Sequence, residues 1–543
     1  MSNNKKTILL LSDDLRMHSG IATMSKEIVL GSVHKYNWIQ VAAAVQHPDA
    51  GKIIDVSEDV RKFSGVEDAS VILYPNSGYG NADLIRDFLN RHKIDAILHF
   101  TDPRYWIWLY DIEHEIRQTT PIFFYHIWDD LPDPHYNRDY YESCDWLGCI
   151  SKQTYGIVKR TGALENGKTW KPLEDWQVSY VPHGVSKLYK PLEEENKELK
   201  QKLFAENDYE FVIYWSNRNI RRKQPSDVIW AYKMFVDSLP EEKKKKVLLL
   251  MHTQPVDENG TDLVAVASRI APDTEIKFST NRLSTEQINQ LVNLCDISVN
   301  IAGNEGFGLT TCEAIMAGLP SIVLVTGGLQ DQCGFKKDGK LLTADDYVEI
   351  GSLHDWRKWE GKVEHGEWVK PLWPRAQNMN GSVPTPYIID DKVDVYELAD
   401  AMKYWYDIPK EKRKEMGLKG REFFLSENGF HSQRMADTMV EGMERAFDKL
   451  IENVVGWAAD KNILKKENAH KQLLKVLEEV GETAGALLKS KDEEVKDGIG
   501  DSFVTLIILS KQLGLEPAEC LEAAWNEIKD RTGKTVGGVF VKN

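Results

Sequence analysis

NEGFGLTTCEAIMAGLP, residues Asn304 to Pro320, decides how the rest of the chain is read. Glycines at 306 and 308 open it as a loop, and a short helix is expected from about Thr310 to Ala317. Gly318 and Pro320 stop that helix. Glycine lets backbone N–H groups come close to a ligand, and a helix N-terminus beside them favours anionic oxygens. Two carboxylates, Glu305 and Glu313, bracket the turn. A carboxylate only accepts hydrogen bonds, so it suits hydroxyl-rich ligands such as sugars. The plainer alternative is a turn and a helix capped by Thr310, with both glutamates solvated.

Outward from this loop, short apolar runs alternate with helical patterns, as buried parallel strands between crossover helices do. Strands are expected at Thr7–Ser12, Ile94–Phe100 and Pro121–His126. Further strands are expected at Phe211–Trp215, Val247–Met251, Ile276–Phe278, Ile297–Ile301 and Ser321–Val325. Ligands collect at the carboxyl ends of such strands, which draws attention to Gly20 after the first and His126 at the end of the third. The stretch from about 330 to 391 reads as an irregular insertion. From about 456 the pattern turns to helices with few strands.

A chain of 543 residues is too long for one core, and its 42% hydrophobic and 28% charged composition is that of a globular protein. No apolar run reaches the roughly 20 residues of a membrane helix. The first residues lack the apolar core of a signal peptide. Six scattered cysteines give no disulfide framework, so a reducing cytoplasm is expected. A net charge of −16 speaks against wrapping nucleic acid wholesale.

The Asn304–Pro320 segment resembles the Glu-x7-Glu signature of retaining glycosyltransferases with the two-domain GT-B fold, the large family that includes sucrose and glycan synthases. The trailing Ala-x-Met-Ala-Gly-Leu-Pro adds specificity. The resemblance implies an α/β fold of two Rossmann-like lobes, an acceptor lobe over 1–190 and a nucleotide-sugar donor lobe over 191–455. Glu305 and the amides of Phe307, Gly308 and Leu309 would hold the sugar, and Glu313 the ribose. Gly20 would lie across the donor phosphates, and His126 would face the sugar. Arg218 and Lys223 match a family pair that neutralises the departing diphosphate, a role suited to a guanidinium and an ammonium. No cofactor is implied for this step. His183 stands where the family usually has asparagine, and its role stays open.

Residues 465–543 resemble MazG-type nucleoside triphosphate pyrophosphohydrolases, especially small phage-encoded ones. This implies a small all-α domain over 456–543 that dimerises and binds Mg²⁺ through Glu479, Glu482, Asp497 and Asp501. Asn526, Lys529 and Arg531 would hold the triphosphate. Gly498 occupies the usual glutamate position, which leaves one ligand open.

The combined expectation is a retaining glycosyltransferase fused to a Mg²⁺-dependent pyrophosphohydrolase. Its partners would be a nucleotide sugar, a nucleoside triphosphate and a hydroxyl acceptor. That acceptor could be a hydroxymethylated pyrimidine in phage DNA or a saccharide, lipid-linked glycan or protein hydroxyl. The alternative keeps a glycan-directed transferase and makes the tail a non-catalytic dimerisation or nucleotide-sensing module.

Overall fold

The computed structural model describes every residue except 1–4, 163, 167–168, 172, 194–195, 206, 352, 354–357, 529–532, 537–538 and 543. Contacts divide the chain into two compact units, Met1–Met443 and Glu444–Asn543.

The first unit is built on two sheets. One contains β1 (Lys6–Asp13), β2 (Tyr36–Ala44), β3 (Ile54–Asp55), β4 (Val71–Ser77), β5 (Ala96–Phe100), β6 (Ile122–His126), β7 (Trp146–Cys149) and β10 (Val178–Tyr180). A small hairpin of β8 (Leu164–Asn166) and β9 (Thr169–Lys171) lies outside it. The order is β10-β7-β6-β5-β1-β2-β4-β3, parallel except where β3 meets β4. Strands such as Leu9–Leu11 and Ile122–Phe124 are apolar throughout because helices cover both faces.

The second sheet contains β11 (Phe211–Ser216), β12 (Val247–His252), β13 (Ile276–Ser279), β14 (Ile297–Asn300), β15 (Ser321–Leu324) and β18 (Val369–Leu372). Its order is β13-β12-β11-β14-β15-β18, parallel throughout. Each sheet has its own core, around Leu11, Val41 and Phe124 in one lobe and Trp215, Met251 and Trp405 in the other.

The expectation of an irregular insertion at 330–391 is corrected. Besides β16 (Lys336–Lys337) and β17 (Lys340–Leu341), it supplies β18 to the main sheet and a long hairpin, β19 (Ala376–Ser382) with β20 (Thr385–Lys392). The residues of β19 are all exposed and mostly polar, with Ala376 and Met379 three apart and not alternating, so apolar periodicity could not reveal it.

Several contacts fix the two lobes against each other. Asp331 of the second accepts from the Lys152 N–H at 3.0 Å and from the Tyr180 hydroxyl at 2.8 Å. Arg160 donates to the Tyr347 carbonyl at 2.7 Å. Helix Ser432–Phe447 brings the chain back to the first lobe, where Gln433 donates to the Gly31 carbonyl at 3.1 Å.

The second unit contains helices Lys449–Asp460, Ala469–Leu488, Asp492–Gln512 and Pro517–Ile528. The two longest pack closely at Gly498, where a Cβ would stand 2.5 Å from Thr483 Oγ1. An all-α unit was expected, but β21 (Gly533–Val536) pairs with β22 (Val539–Lys542) in an antiparallel hairpin. The division at 443/444 also precedes the expected 456, because contacts change partners inside helix Ser432–Phe447 before the composition changes. No helix among the described residues is long and apolar enough to cross a membrane.

Candidate active site

The loop after β14 is tied back by its carbonyls. Gly328 N–H donates to Glu305 O at 2.8 Å, and Gln332 Nε2 donates to Phe307 O at 2.6 Å and Gly308 O at 3.1 Å. Gly308, at φ 88°, precedes helix Leu309–Met316. The N–H groups of Phe307 to Thr310 find no acceptor among the described residues, and all four residues line a cavity of about 1620 Å³ between the lobes. Loop and helix N-terminus thus present a row of donors to that cavity.

Glu305 is 9% exposed and ion-paired with Lys223, which is 6% exposed. Burial alone would raise the Glu305 carboxyl, but Lys223 and Arg222 outweigh it and hold it below the ordinary value, so the group is ionised. Arg222 donates to the Asn304 carbonyl at 2.7 Å. Burial works against its charge, yet Glu305, Asp129, Asp130 and Asp390 keep it a cation.

Arg218, expected beside Lys223, is not brought to the cavity. It points outward and pairs with Asp257 at 2.8 Å, with its side chain 64% exposed. Arg222 takes that place, because the 3₁₀ turn Arg221–Lys223 directs residues 222 and 223 inward. A triple-cation run was visible in the sequence, but the direction of each side chain depends on a non-helical turn.

The first lobe supplies the opposite wall. Gly20 begins helix Gly20–Ser32 at the cavity wall and lies against Leu309; a Cβ there would stand 3.4 Å from Leu309 Cδ1. His126 ends β6, lines the cavity and is buried, with Nδ1 lacking a partner. Burial, with His99 and Arg104 nearby, pulls its value down to about 3, so the ring is neutral. Asp129, which the sequence reading missed, also lines the cavity, and burial raises its carboxyl despite Arg222. His183 accepts or donates at 2.8 Å with the Tyr125 hydroxyl and meets the Phe307 ring edge-on. Arg104 and Asn217 each aim a buried, unpartnered nitrogen, Nη1 and Nδ2, from the cavity lining. Glu313 stands one helical turn beyond the amide row, where burial pushes its carboxyl up to about 7 although Tyr189 stabilises the anion.

The acidic residues expected in the second unit are not gathered into a metal site. Glu479 is buried and pairs with Lys475 at 2.9 Å, whereas Glu482, Asp497 and Asp501 are exposed. Among the described residues no group of three or more His, Cys, Asp or Glu side chains could hold a metal ion. Lys529, Arg531 and the side chain of Asn526 lie outside the described residues.

Residues 195–350 match the family model for glycosyl transferases group 1. A trehalose synthase of Pyrococcus horikoshii is 28% identical over 169 residues, which are 29% of this chain and 40% of that protein. An uncharacterized 18.2 kDa protein of Haemophilus phage HP1 is 42% identical over 64 residues, 12% of this chain and 39% of that protein. The chain therefore spans about two fifths of the length of either curated relative. Anabaena HepE, solved in complex with UDP and glucose, aligns with 81% of this chain and 99% of its own at 14% identity and a TM-score of 0.53, a likeness of fold. Two parallel-sheet lobes around a shared cavity give the first unit a GT-B fold, and residues 195–350 of its second lobe are similar to glycosyl transferases group 1.

Proposed function

We propose that the first unit transfers a sugar, with retention, from a nucleotide sugar to a hydroxyl acceptor. The observation that carries this is the convergence of Lys223, Arg222 and the free amides of 307–310 on one cavity, with Glu305 beside them. Two cations and a row of donors suit a diphosphate leaving group as negative charge develops on it. Glu305 and Glu313 accept from donor hydroxyls, one on the sugar and one on the ribose. The acceptor oxygen bonds to the anomeric carbon as the bond to the phosphate oxygen breaks. That phosphate oxygen takes the acceptor's proton. Neutral His126 has a free ring nitrogen for a sugar hydroxyl.

The test is release of nucleotide diphosphate from a panel of nucleotide sugars, UDP-glucose first, with the anomer of the product read by NMR. Saccharides, plain DNA and hydroxymethylated DNA serve as acceptors. No release from any donor would sink the transferase reading, and an inverted product would sink retention.

Glu313 gives the reaction a pH signature. Its carboxyl is an acceptor at both oxygens when ionised but turns one into a donor when protonated, and the buried group loses its proton near pH 7. Donor kcat/KM, which reports the free enzyme, is expected to fall as pH drops through about 7. Glu313→Gln should flatten that limb and lower kcat/KM by about tenfold.

For the second unit we propose self-association. Leu473, Leu477, Val480 and Leu487 lie along one face of helix Ala469–Leu488, and Ile499, Phe503 and Leu506 along one face of Asp492–Gln512. All are at least 45% exposed. Apolar faces of this extent need a partner, and a second copy is the one we propose. Light scattering of the full chain should give a dimer; a monomer at micromolar concentration would refute it. The same unit is the proposed seat of Mg²⁺-dependent pyrophosphohydrolysis. Among the described residues its acidic side chains do not form a metal site within one chain, so no catalytic step is derived for it. Pyrophosphate release from a triphosphate panel with and without Mg²⁺ separates an enzyme from a binding module.

A further inference from the structure

The β19–β20 hairpin leaves the second lobe and touches both walls of the cleft. One edge of β20 pairs with β19, from Ala376 opposite Lys392 to Ser382 opposite Thr385. Its other edge is shared between lobes. Ile389 N–H donates to Leu131 O in the first lobe at 2.7 Å. Two residues on, and therefore on the same edge, Asp391 N–H donates to Gly303 O in the second lobe at 2.8 Å. Leu131 lies shortly after His126, and Gly303 shortly before Glu305.

Side chains reinforce both attachments. Toward the first lobe, the Tyr136 hydroxyl donates to Tyr387 O at 3.0 Å and His135 N–H donates to the Tyr387 hydroxyl at 3.2 Å. Ile388 and Ile389 pack against Trp128, Leu131 and Ile157. Toward the second, Asp390 accepts from Asn304 Nδ2 at 2.7 Å, while Arg222 holds the Asn304 carbonyl. Asn304 is thus pinned at both ends immediately before Glu305. Gly303 has no room for a side chain, since a Cβ would stand 2.8 Å from Asp391 O.

We infer that Asp390 is a positioning residue for Glu305 and that β20 sets the spacing between the walls carrying His126 and Glu305. This rests on the transferase reading. Asp390 does not line the cavity, so its removal should loosen the loop without removing any donor contact. Displacing a reacting group by about an ångström can cost about a hundredfold in rate.

Asp390→Ala is expected to lower kcat by about 10- to 100-fold while donor KM stays within about threefold. Asp390→Asn, which keeps an oxygen for Asn304, should recover most of that loss. Lobe spacing is read without turnover by double electron–electron resonance between labels at Lys93→Cys and Glu258→Cys, in full-length Cys520→Ser protein diluted with unlabelled chains so that only distances within one chain are read. Both sites and Cys520 are exposed, and the other cysteines are buried. Tyr387→Ala should broaden the single distance of the parent, and it carries the kinetic test too if Asp390→Ala does not fold. An unchanged kcat, a loss shared equally by the alanine and asparagine variants, or an unchanged distance distribution would overturn the inference. Parent protein inactive on every nucleotide sugar would instead refute the transferase reading, while the resonance measurement would still decide the role of β20.

Discussion

Lys223→Met is expected to lower kcat/KM for the nucleotide sugar by about 10²- to 10³-fold, the usual cost of losing one preorganised charge at a leaving group. The same change leaves buried Glu305 with only Arg222 to offset its charge, and breaking a buried pair costs about 3–5 kcal/mol. The two consequences separate in the double variant. Lys223→Met with Glu305→Gln removes both charges, so melting should return toward the parent while activity stays lost. Chemical denaturation beside steady-state kinetics checks this. If the double variant recovered activity with stability, the lysine would be a structural ion-pair partner and not the diphosphate's cation.

Gly327→Ala is expected to be the most damaging single methyl group in the second lobe. Gly327 has φ 47°, and a Cβ there would run into the Glu305 carbonyl oxygen. The neighbouring Gly328 also packs closely on Gly306 and Phe307, where a Cβ would stand 2.4 Å from Gly306 O. Left-handed strain and overpacking each cost about 1–3 kcal/mol. Relief would push the Glu305 loop into the cleft, with a further loss of about 10² in kcat. Gly339→Ala is the control. It also has positive φ, at 75°, but its Cβ would meet nothing within 4 Å, so about 1 kcal/mol and no change in kcat are expected. Equal effects at both positions would show that the contact with Glu305 does not matter.

What the sequence could and could not reveal follows from which interactions are local. The Glu305–Pro320 segment was legible because its glycines and its stop signals act within a few residues, and the observed helix is Leu309–Met316. The buried strands were legible because parallel sheets demand continuous apolar runs. Arg218 was chosen over Arg222 because an interval cannot say which way a 3₁₀ turn points its side chains. Asp129 and Asp390 were invisible for a different reason. Their surroundings come from residues far along the chain, Arg222 and Asn304 among them. The β19–β20 hairpin was unreadable because its first strand is mostly polar and solvated while its second finds partners in two lobes. In the second unit, the acidic spacing described helices correctly but did not foretell that Glu479 would be taken by Lys475.

In the proposed transfer reaction, the ion pair between Lys223 and Glu305 bears on turnover as well as on binding. An ammonium reserved for a substrate would be stranded in a poorly hydrated crevice each time product left, and egress would slow accordingly. Here the replacement anion is already tethered alongside, so the vacated crevice neutralises itself. A newly arriving molecule must then prise apart a partnership the protein makes with itself, giving up some affinity in return for quicker clearance.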